Sequence, residues 1–157
     1  MKKIILFILL FPSFVKSETI KWVDKNELIE IGNKTEVLED PQGNFSFADI
    51  SSDDWKKKFI PSKSTNLILG YTESVFWIKF TLENTTHDNL MLEIAQAGLP
   101  LCDLYYKTDN DSLIIYKAGS NTAFHDRIIK SSFQVFPLLV GKHDYYLRVT
   151  TDRKSVV

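Results

Sequence analysis

Three segments of the chain place apolar residues at every second position. Residues 74–82 place one apolar set on a single face: Phe76, Ile78, Phe80 and Leu82. The same period of two recurs in residues 89–95 and 144–150. Because successive side chains of a strand point to opposite faces, each segment is predicted to be a half-buried strand of an antiparallel sheet.

Other segments are rich in apolar and aromatic residues but alternate less cleanly. Three of them are also predicted to be strands: 101–107, 112–118 and 128–139. Pro137 has no amide proton for a central ladder, so the last of these is expected to end there or to run along an edge. Residues 19–24 and 27–31 are weaker strand candidates.

Polar clusters between these segments predict the turns. They cover residues 84–89, 107–112, 119–122 and 141–144. A repeat of strand and turn every ten residues or so is typical of an all-β sandwich or barrel. Asp40-Pro41-Gln42-Gly43 has proline second and glycine fourth, which favours a type I turn.

Residues 46–59 interrupt the strand pattern. Asp and Ser residues stand near the start of this segment, and Trp55 and Phe59 lie four residues apart, where they share one face of a helix. We expect a short helical segment near 47–59 that covers one end of the sandwich.

The first seventeen residues have the layout of a secretory signal peptide. Lys2 and Lys3 precede an apolar run over 4–11, which is far shorter than the roughly 20 residues of a membrane-spanning helix. We expect cleavage after Ser17, an exported mature domain over 18–157 and a periplasmic location. An uncleaved anchor is the alternative, since Lys16 stands beside the expected cleavage site.

Charge and cysteine content exclude several classes of function. Without the three lysines of the leader, 16 basic residues stand against 20 acidic ones, a net charge of −4. This charge gives no attraction to nucleic acid or to anionic lipid. Cys102 is the single cysteine, so it forms no internal disulfide and is most simply a small buried residue.

No catalytic or metal-binding motif is present in the sequence. The three histidines each precede an aspartate, at 87–88, 125–126 and 143–144, but no set such as HExxH or paired CxxC accompanies them. There is no GxSxG motif and no glycine-rich phosphate loop. The sequence therefore favours a protein that is not an enzyme and needs no metal or cofactor.

Several pieces of sequence, in a fixed order, carry a resemblance to a known family. They are LEDPQGNFSFADI (38–50), Phe59 with Pro61, Gly70, SVFWIKFTLEN (74–84), LMLEIAQAGLPLCDLYY (90–106), Gly119, Arg127, SFQVFPL (132–138) and YYLRV (145–149). In this combination the chain resembles the second type of extracellular domain of bacterial seven-transmembrane receptors with diverse intracellular signalling modules (7TMR-DISM extracellular 2). The resemblance covers nearly all of residues 20–150.

The resemblance implies a jelly-roll-like β-sandwich, similar to carbohydrate-binding modules. It also implies a periplasmic position ahead of a seven-helix membrane region, with a cytoplasmic signalling module as the output. The sequence ends at Val157, where the family pattern would enter the membrane. The chain is therefore either a fragment of such a receptor or a freestanding exported domain.

Six side chains are candidates for ligand contact. They are Trp77, Tyr106, Tyr116, Arg127, Tyr146 and Arg148. The aromatic rings are expected on strand faces opposite the core, where they would stack on sugar rings, and the two arginines match the family pattern and can clamp a carboxylate or phosphate. The alternatives are rings packed under loops, and ion pairs of the arginines with Asp103 or Asp126.

Three hypotheses of function follow from these residues. The first is a sensor that binds a small molecule, such as a carbohydrate or a carboxylated metabolite, and biases a membrane module. The second is a protein interaction or dimerisation module without a small ligand. The third, a glycan-processing enzyme, would require two carboxyl groups that converge in a cleft.

Overall fold

The computed structural model describes residues 18–23, 28–70, 72–86, 88–96 and 98–151. Within these ranges the chain forms nine strands: β1 (Ile20–Trp22), β2 (Glu36–Asp40), β3 (Ile60–Pro61), β4 (Val75–Asn84), β5 (Met91–Ile94), β6 (Leu101–Lys107), β7 (Leu113–Ala118), β8 (Gln134–Pro137) and β9 (Gly141–Thr150). Two short helices, α1 (Phe47–Ile50) and α2 (Asp53–Lys56), precede β3. Single 3-10 turns lie at Gly32–Lys34 and Phe124–Asp126.

The strands form two sheets that pack face to face. The main sheet has the order β3-β2-β4-β9-β6-β7, and β1 joins it by pairing in parallel with the end of β4. The small sheet consists of β5 and β8, which are antiparallel. The predicted all-β sandwich is therefore confirmed.

The centre of the main sheet is the long antiparallel pair β4 and β9. Their register runs from Val75 opposite Thr150 to Asn84 opposite Gly141. The strands predicted at 74–82 and 144–150 are confirmed, but the turn predicted at 141–144 is wrong. Those polar residues extend β9, because their backbone groups complete the ladder with β4.

The core lies between the inner face of the main sheet and the small sheet. The buried side chains of this core include Phe76, Ile78, Phe80, Leu82, Leu92, Cys102, Leu104, Phe136, Tyr145, Leu147 and Val149. The apolar face predicted for 74–82 is thus the core face. Burial raises the pKa of the Cys102 thiol to about 12, so this side chain is a protonated, packed residue.

Two of the predicted outer-face aromatics lie on the inner side of the sheet. In β6 the inward residues are Cys102, Leu104 and Tyr106, and Tyr116 pairs with Leu104 in the register of β7. The hydroxyls of Tyr106 and Tyr116 are 3.2 Å apart, and Tyr106 also packs against Tyr145. The expectation of an outer position was wrong because residues 101–107 carry large apolar or aromatic groups on both faces. Their alternation therefore does not show which face turns toward the core.

The segment predicted as one strand over 128–139 is mostly a loop. Only Gln134–Pro137 forms a strand, and it ends at Pro137 as expected. The preceding residues are held in a loop, where the Arg127 guanidinium donates to the carbonyls of Gly119 and Ser131 at 2.9 and 3.3 Å. Apolar content alone therefore misidentified residues 128–133.

The remaining predictions near the front of the chain had mixed outcomes. β1 confirms the candidate at 19–24, whereas residues 28–31 form no strand. The short strands β2 and β3 were not predicted. The predicted leader over 1–17 lies outside the described residues.

Candidate functional site

The outer face of the main sheet is covered by residues 44–59, which we call the helical cover. The predicted helical segment is confirmed as α1 and α2, but it lies on the sheet face and not at one end of the sandwich. A second apolar cluster forms beneath it: Ile50, Phe59, Trp77 and Tyr146, with Leu38, Phe45, Phe47, Trp55 and Tyr105 packed around them. This burial makes residues 75–80 of β4 inaccessible on both faces, which corrects the prediction of a half-buried strand there.

Local hydrogen bonds explain why the helical cover folds where it does. The Asp40 carboxylate accepts from the amides of Asn44 and Phe45, at 3.0 and 2.9 Å, just after the turn predicted at 40–43. Ser46 and Asp49 then form a capping box, since the Ser46 hydroxyl accepts from the Asp49 amide and the Asp49 carboxylate accepts from the Ser46 amide. The Ser46 hydroxyl also holds the pKa of Asp49 below its ordinary value.

Arg148 links the main sheet to the turn that precedes the helical cover. Its Nη2 donates to the Gly43 carbonyl at 3.1 Å, and its guanidinium lies 5.7 Å from the centroid of the Trp77 ring. Arg148 stands between Trp77 and Asp103 in the sheet register, but it forms no ion pair with Asp103. The Trp77 Nε1 and Arg148 Nε atoms are buried without a hydrogen-bond partner among the described residues.

A cleft of about 330 Å³ lies between the helical cover and one end of the main sheet. We call it the cover cleft. It is lined by three groups of residues: Phe47, Ser51 and Lys56 of the helical cover, Lys107, Lys142, His143, Asp144 and Tyr146 of the sheet, and Thr108 and Asp109 of the turn after β6. The sheet contributes because β6 ends and β9 begins at the same end of two neighbouring antiparallel strands.

Tyr146 forms a buried wall of the cover cleft. Its side chain is 3% exposed and packs edge-on against Phe47, with ring centroids 5.4 Å apart. Its hydroxyl makes no hydrogen bond to any residue that the structure describes, whereas the hydroxyl of the adjacent Tyr145 accepts from the Leu139 amide at 2.8 Å. Burial raises the pKa of Tyr146, and the neighbouring carboxylates of Asp144, Glu36 and Asp53 raise it further.

The charged groups of the cover cleft differ in how strongly they are engaged. Lys107 pairs with Asp111 at 2.7 Å, and Lys142 forms no ion pair with any described residue. Asp144 accepts from the Thr81 hydroxyl at 2.6 Å. His143 Nε2 lies 3.0 Å from the Val140 carbonyl, and because a carbonyl only accepts, this nitrogen carries the proton.

The comparison with protein families decides which class of domain this is. The family model 7TMR-DISM extracellular 2 matches residues 32–157. The chain belongs to this family. A comparison with curated proteins found no match. The family is the extracellular part of seven-transmembrane receptors, which fits a sensory domain role. No described helix is long and apolar enough to cross a membrane.

The structure of this 7TMR-DISM domain does not bring the six predicted site residues together. Tyr146 lines the cover cleft, and Trp77 and Arg148 lie under or beside the helical cover. Tyr106 and Tyr116 lie on the opposite side of the main sheet. A single binding surface made of all six is therefore not formed.

Arg127, the last of the six, lies in the loop between β7 and β8, where both terminal nitrogens bond to backbone carbonyls. It forms no ion pair with Asp126, whose carboxylate is instead 3.3 Å from His125 Nε2. The ion-pair alternative is thus wrong for both arginines. Each arginine holds a loop through carbonyl groups.

Sequence reasoning missed the lysines of the cover cleft. Lys107 and Lys142 stood in two predicted turn clusters, and Lys56 lay in the predicted helical segment. The signal that would have found them is the position of both turns next to strands that pair with each other. That pairing of β6 with β9 is a tertiary fact, which alternation within one segment does not encode. Among the described residues, no group of three histidine, cysteine or carboxylate side chains converges on a metal position.

Proposed function

We propose that this chain is the periplasmic ligand-sensing domain of an exported receptor and that the cover cleft binds its ligand. The observation that carries the proposal is the hydroxyl of Tyr146, which bonds to no described residue and belongs to a residue that lines the cover cleft. It is not among the fully buried atoms that lack a partner, so it is open to the cleft, whereas the Tyr145 hydroxyl bonds within the protein. A ligand in the cover cleft would bond to this hydroxyl in place of water.

The lining of the cover cleft suits a small hydroxylated molecule such as a carbohydrate. Hydroxyl groups come from Ser51, Thr108 and Tyr146, a carboxylate comes from Asp109, and the Phe47 ring offers an apolar surface. Sugars bind by placing ring carbons on aromatic groups and hydroxyls on such polar atoms. A volume of about 330 Å³ fits a ligand the size of a monosaccharide.

Strand β9 offers a route from the ligand to a membrane module. Its first residues, Lys142 to Asp144, line the cover cleft, and its last residue, Thr150, lies at the opposite end of the main sheet. A ligand that binds one of two states more tightly shifts the population toward that state. When the cover cleft closes on a ligand, the resulting shift of β9 would be passed to the part of the receptor that follows Thr150.

A thermal-shift screen of the purified protein against monosaccharides, disaccharides and small carboxylates tests this function. Stabilisation by at least one compound, and its loss in Tyr146→Phe, is the expected result, because ligand binding to the folded state adds to stability. Tyr145→Phe is the matched control, since it removes a hydroxyl from the neighbouring residue on the other face. The proposal fails if no compound stabilises the protein, or if Tyr146→Phe responds to each compound as the wild type does.

A second candidate function is a protein interaction surface. The loop between β7 and β8 presents Phe124, Ile128 and Phe133, which are 55%, 53% and 40% exposed. Large apolar side chains held outward in one loop are typical of contact sites. This candidate predicts self-association or partner binding that does not depend on the cover cleft.

Sedimentation velocity over a range of protein concentrations separates the two candidates. The interaction function predicts a size that grows with concentration and returns to the monomer in a Phe124→Ser/Ile128→Ser double variant. A monomer at every concentration, with ligand stabilisation in the screen, would favour the sensor and remove self-association from consideration.

A further inference from the structure

Strand β7 forms one edge of the main sheet. It pairs with β6 along one side, and no described strand pairs with it along the other. Backbone N–H and C=O groups on an open side of this kind can accept a further strand. The opposite edge of the same sheet is β3, which has two residues and ends at Pro61, so it offers little to a further strand.

The open edge is also apolar. Leu113 and Ile115 are 43% and 41% exposed, and they lie on the outer face because Ile115 stands opposite Tyr105 in the register with β6. The apolar cluster beneath the helical cover includes no residue of β7, so the cover leaves these side chains open. Edge strands are commonly protected by charged side chains or proline, and β7 carries one charge, Lys117, among its six residues.

The sequence of β7 is complementary to a second copy of itself in an antiparallel pairing centred on Ile115. In that pairing Ile115 faces its counterpart, and Ile114 faces Tyr116 of the other copy. Leu113 faces Lys117 of the other copy, whose methylene stem can lie along it. Cross-strand pairs of β-branched and aromatic side chains stabilise a sheet, and no like charges stand opposite each other in this register.

The charges beside β7 favour the same arrangement. The turn that precedes β7 carries Asp109 and Asp111 against Lys107, so it is acidic. The pairing centred on Ile115 brings Lys117 of each copy to the turn of the other copy, one diagonal step from Asp111. The existing pair of Asp111 with Lys107 is exposed, with 81% of the Asp111 side chain accessible, so this carboxylate can interact with Lys117 as well.

We propose that β7 is a dimerisation edge, at which two copies of this chain pair their β7 strands antiparallel about Ile115 into one continuous sheet. A two-fold axis uses the same strand of both copies and covers both open edges, so association stops at two. Six residues from each copy make a small interface, and we therefore expect a reversible dimer that forms as the protein concentration rises. This proposal does not rest on the sensor function.

Cysteine cross-linking tests the pairing and its register. Ile115→Cys places a thiol on the two-fold axis, where it faces the same thiol at a Cα separation of about 5 Å, which a disulfide can span. Leu113→Cys is the matched control, because it is equally exposed on the same face but faces Lys117. The native Cys102 is buried and does not compete. Mild oxidation with copper phenanthroline is expected to cross-link Ile115→Cys at least tenfold faster than Leu113→Cys.

Sedimentation velocity without oxidation gives a second readout. The wild-type size is expected to grow toward a dimer with concentration, and Ile115→Lys is expected to stay monomeric, because two ammonium groups would face each other. Phe124→Ser/Ile128→Ser, in the loop between β7 and β8, should leave the dimer unchanged. A wild-type monomer at every concentration, equal cross-linking of the two cysteine variants, a dimer that persists in Ile115→Lys, or one that is lost in the loop variant would overturn the proposal. The thermal-shift screen tests the sensor function separately, since a monomer can also bind ligand.

Discussion

At the scale of single residues, the adjacent tyrosines of β9 point to opposite faces of the main sheet and meet different environments. Tyr145 points into the core, where it stacks on Phe80 with ring centroids 5.2 Å apart and accepts a hydrogen bond from Leu139. Tyr146 points to the outer face, where its ring is packed but its hydroxyl has no partner in the described structure. The two hydroxyls should therefore contribute differently to stability.

Replacing each tyrosine by phenylalanine tests this difference. Tyr145→Phe leaves the Leu139 amide without its acceptor, so the free energy of unfolding should fall by about 1–2 kcal/mol. Tyr146→Phe removes a hydroxyl that bonds to no described residue and should change it by less than about 0.5 kcal/mol. Urea denaturation measures both values, and equal losses would contradict the assignment of the two environments.

Gly119 has a backbone conformation and a close contact that only glycine can adopt without strain. Its φ is +95°, and a Cβ there would lie 2.6 Å from the Pro100 carbonyl oxygen. Gly70 has a φ of +74° but open space around it. We predict that Gly119→Ala costs about 3 kcal/mol or more and Gly70→Ala only about 1 kcal/mol, measured by chemical denaturation. Similar costs for both would show that the Pro100 contact adds nothing.

At the scale of elements, the buried ion pair between β2 and β4 shows how the edge of the main sheet is held. Lys79 Nζ and Glu36 Oε2 are 2.8 Å apart, with less than a tenth of each side chain exposed. Lys79→Met leaves the Glu36 carboxylate buried beside an apolar group and should lower the free energy of unfolding by about 3–5 kcal/mol. The double variant with Glu36→Leu should lose less than Lys79→Met alone, and a larger loss would contradict this interpretation.

The helical cover should respond to pH through Asp49. The folded-state pKa of Asp49 lies below its ordinary value because the Ser46 hydroxyl donates to the carboxylate, so the stabilising effect is present above the unfolded pKa of about 4 and is lost as pH falls through the lower folded value. We predict that Asp49→Ala destabilises the protein at pH 7 and that the difference from wild type shrinks below pH 4. A difference that stays constant down to about pH 2 would contradict the capping role.

The same scale shows which elements the sequence predicts. Residues 74–82 have one apolar face, so their strand and their core side followed from the period of two alone. Residues 101–107 carry large apolar or aromatic side chains on both faces, so their strand was predictable but its orientation was not. Only half of residues 128–133 are apolar, and the segment forms a loop that the Arg127 hydrogen bonds help to hold.

At the scale of the whole molecule, the cover cleft and the end of β9 lie at opposite ends of one sheet. β9 has ten residues, which corresponds to roughly 30 Å of extended chain. The cover cleft itself was not predictable, because it requires the neighbouring position of β6 and β9 and the placement of the helical cover above them. The sequence alone indicated the family and gave Tyr146 as a candidate residue. The lysines of the cover cleft were found only from the fold.

Chemical-shift mapping with the compound that stabilises the protein most tests the central claim directly. The claim is that ligand binds between the helical cover and the start of β9, in contact with Tyr146. The predicted result is a set of saturable shifts concentrated at residues 47–56, 107–109 and 142–146 that disappears in Tyr146→Phe. Shifts centred on the loop between β7 and β8, or on the inner-face pair Tyr106 and Tyr116, would contradict the account.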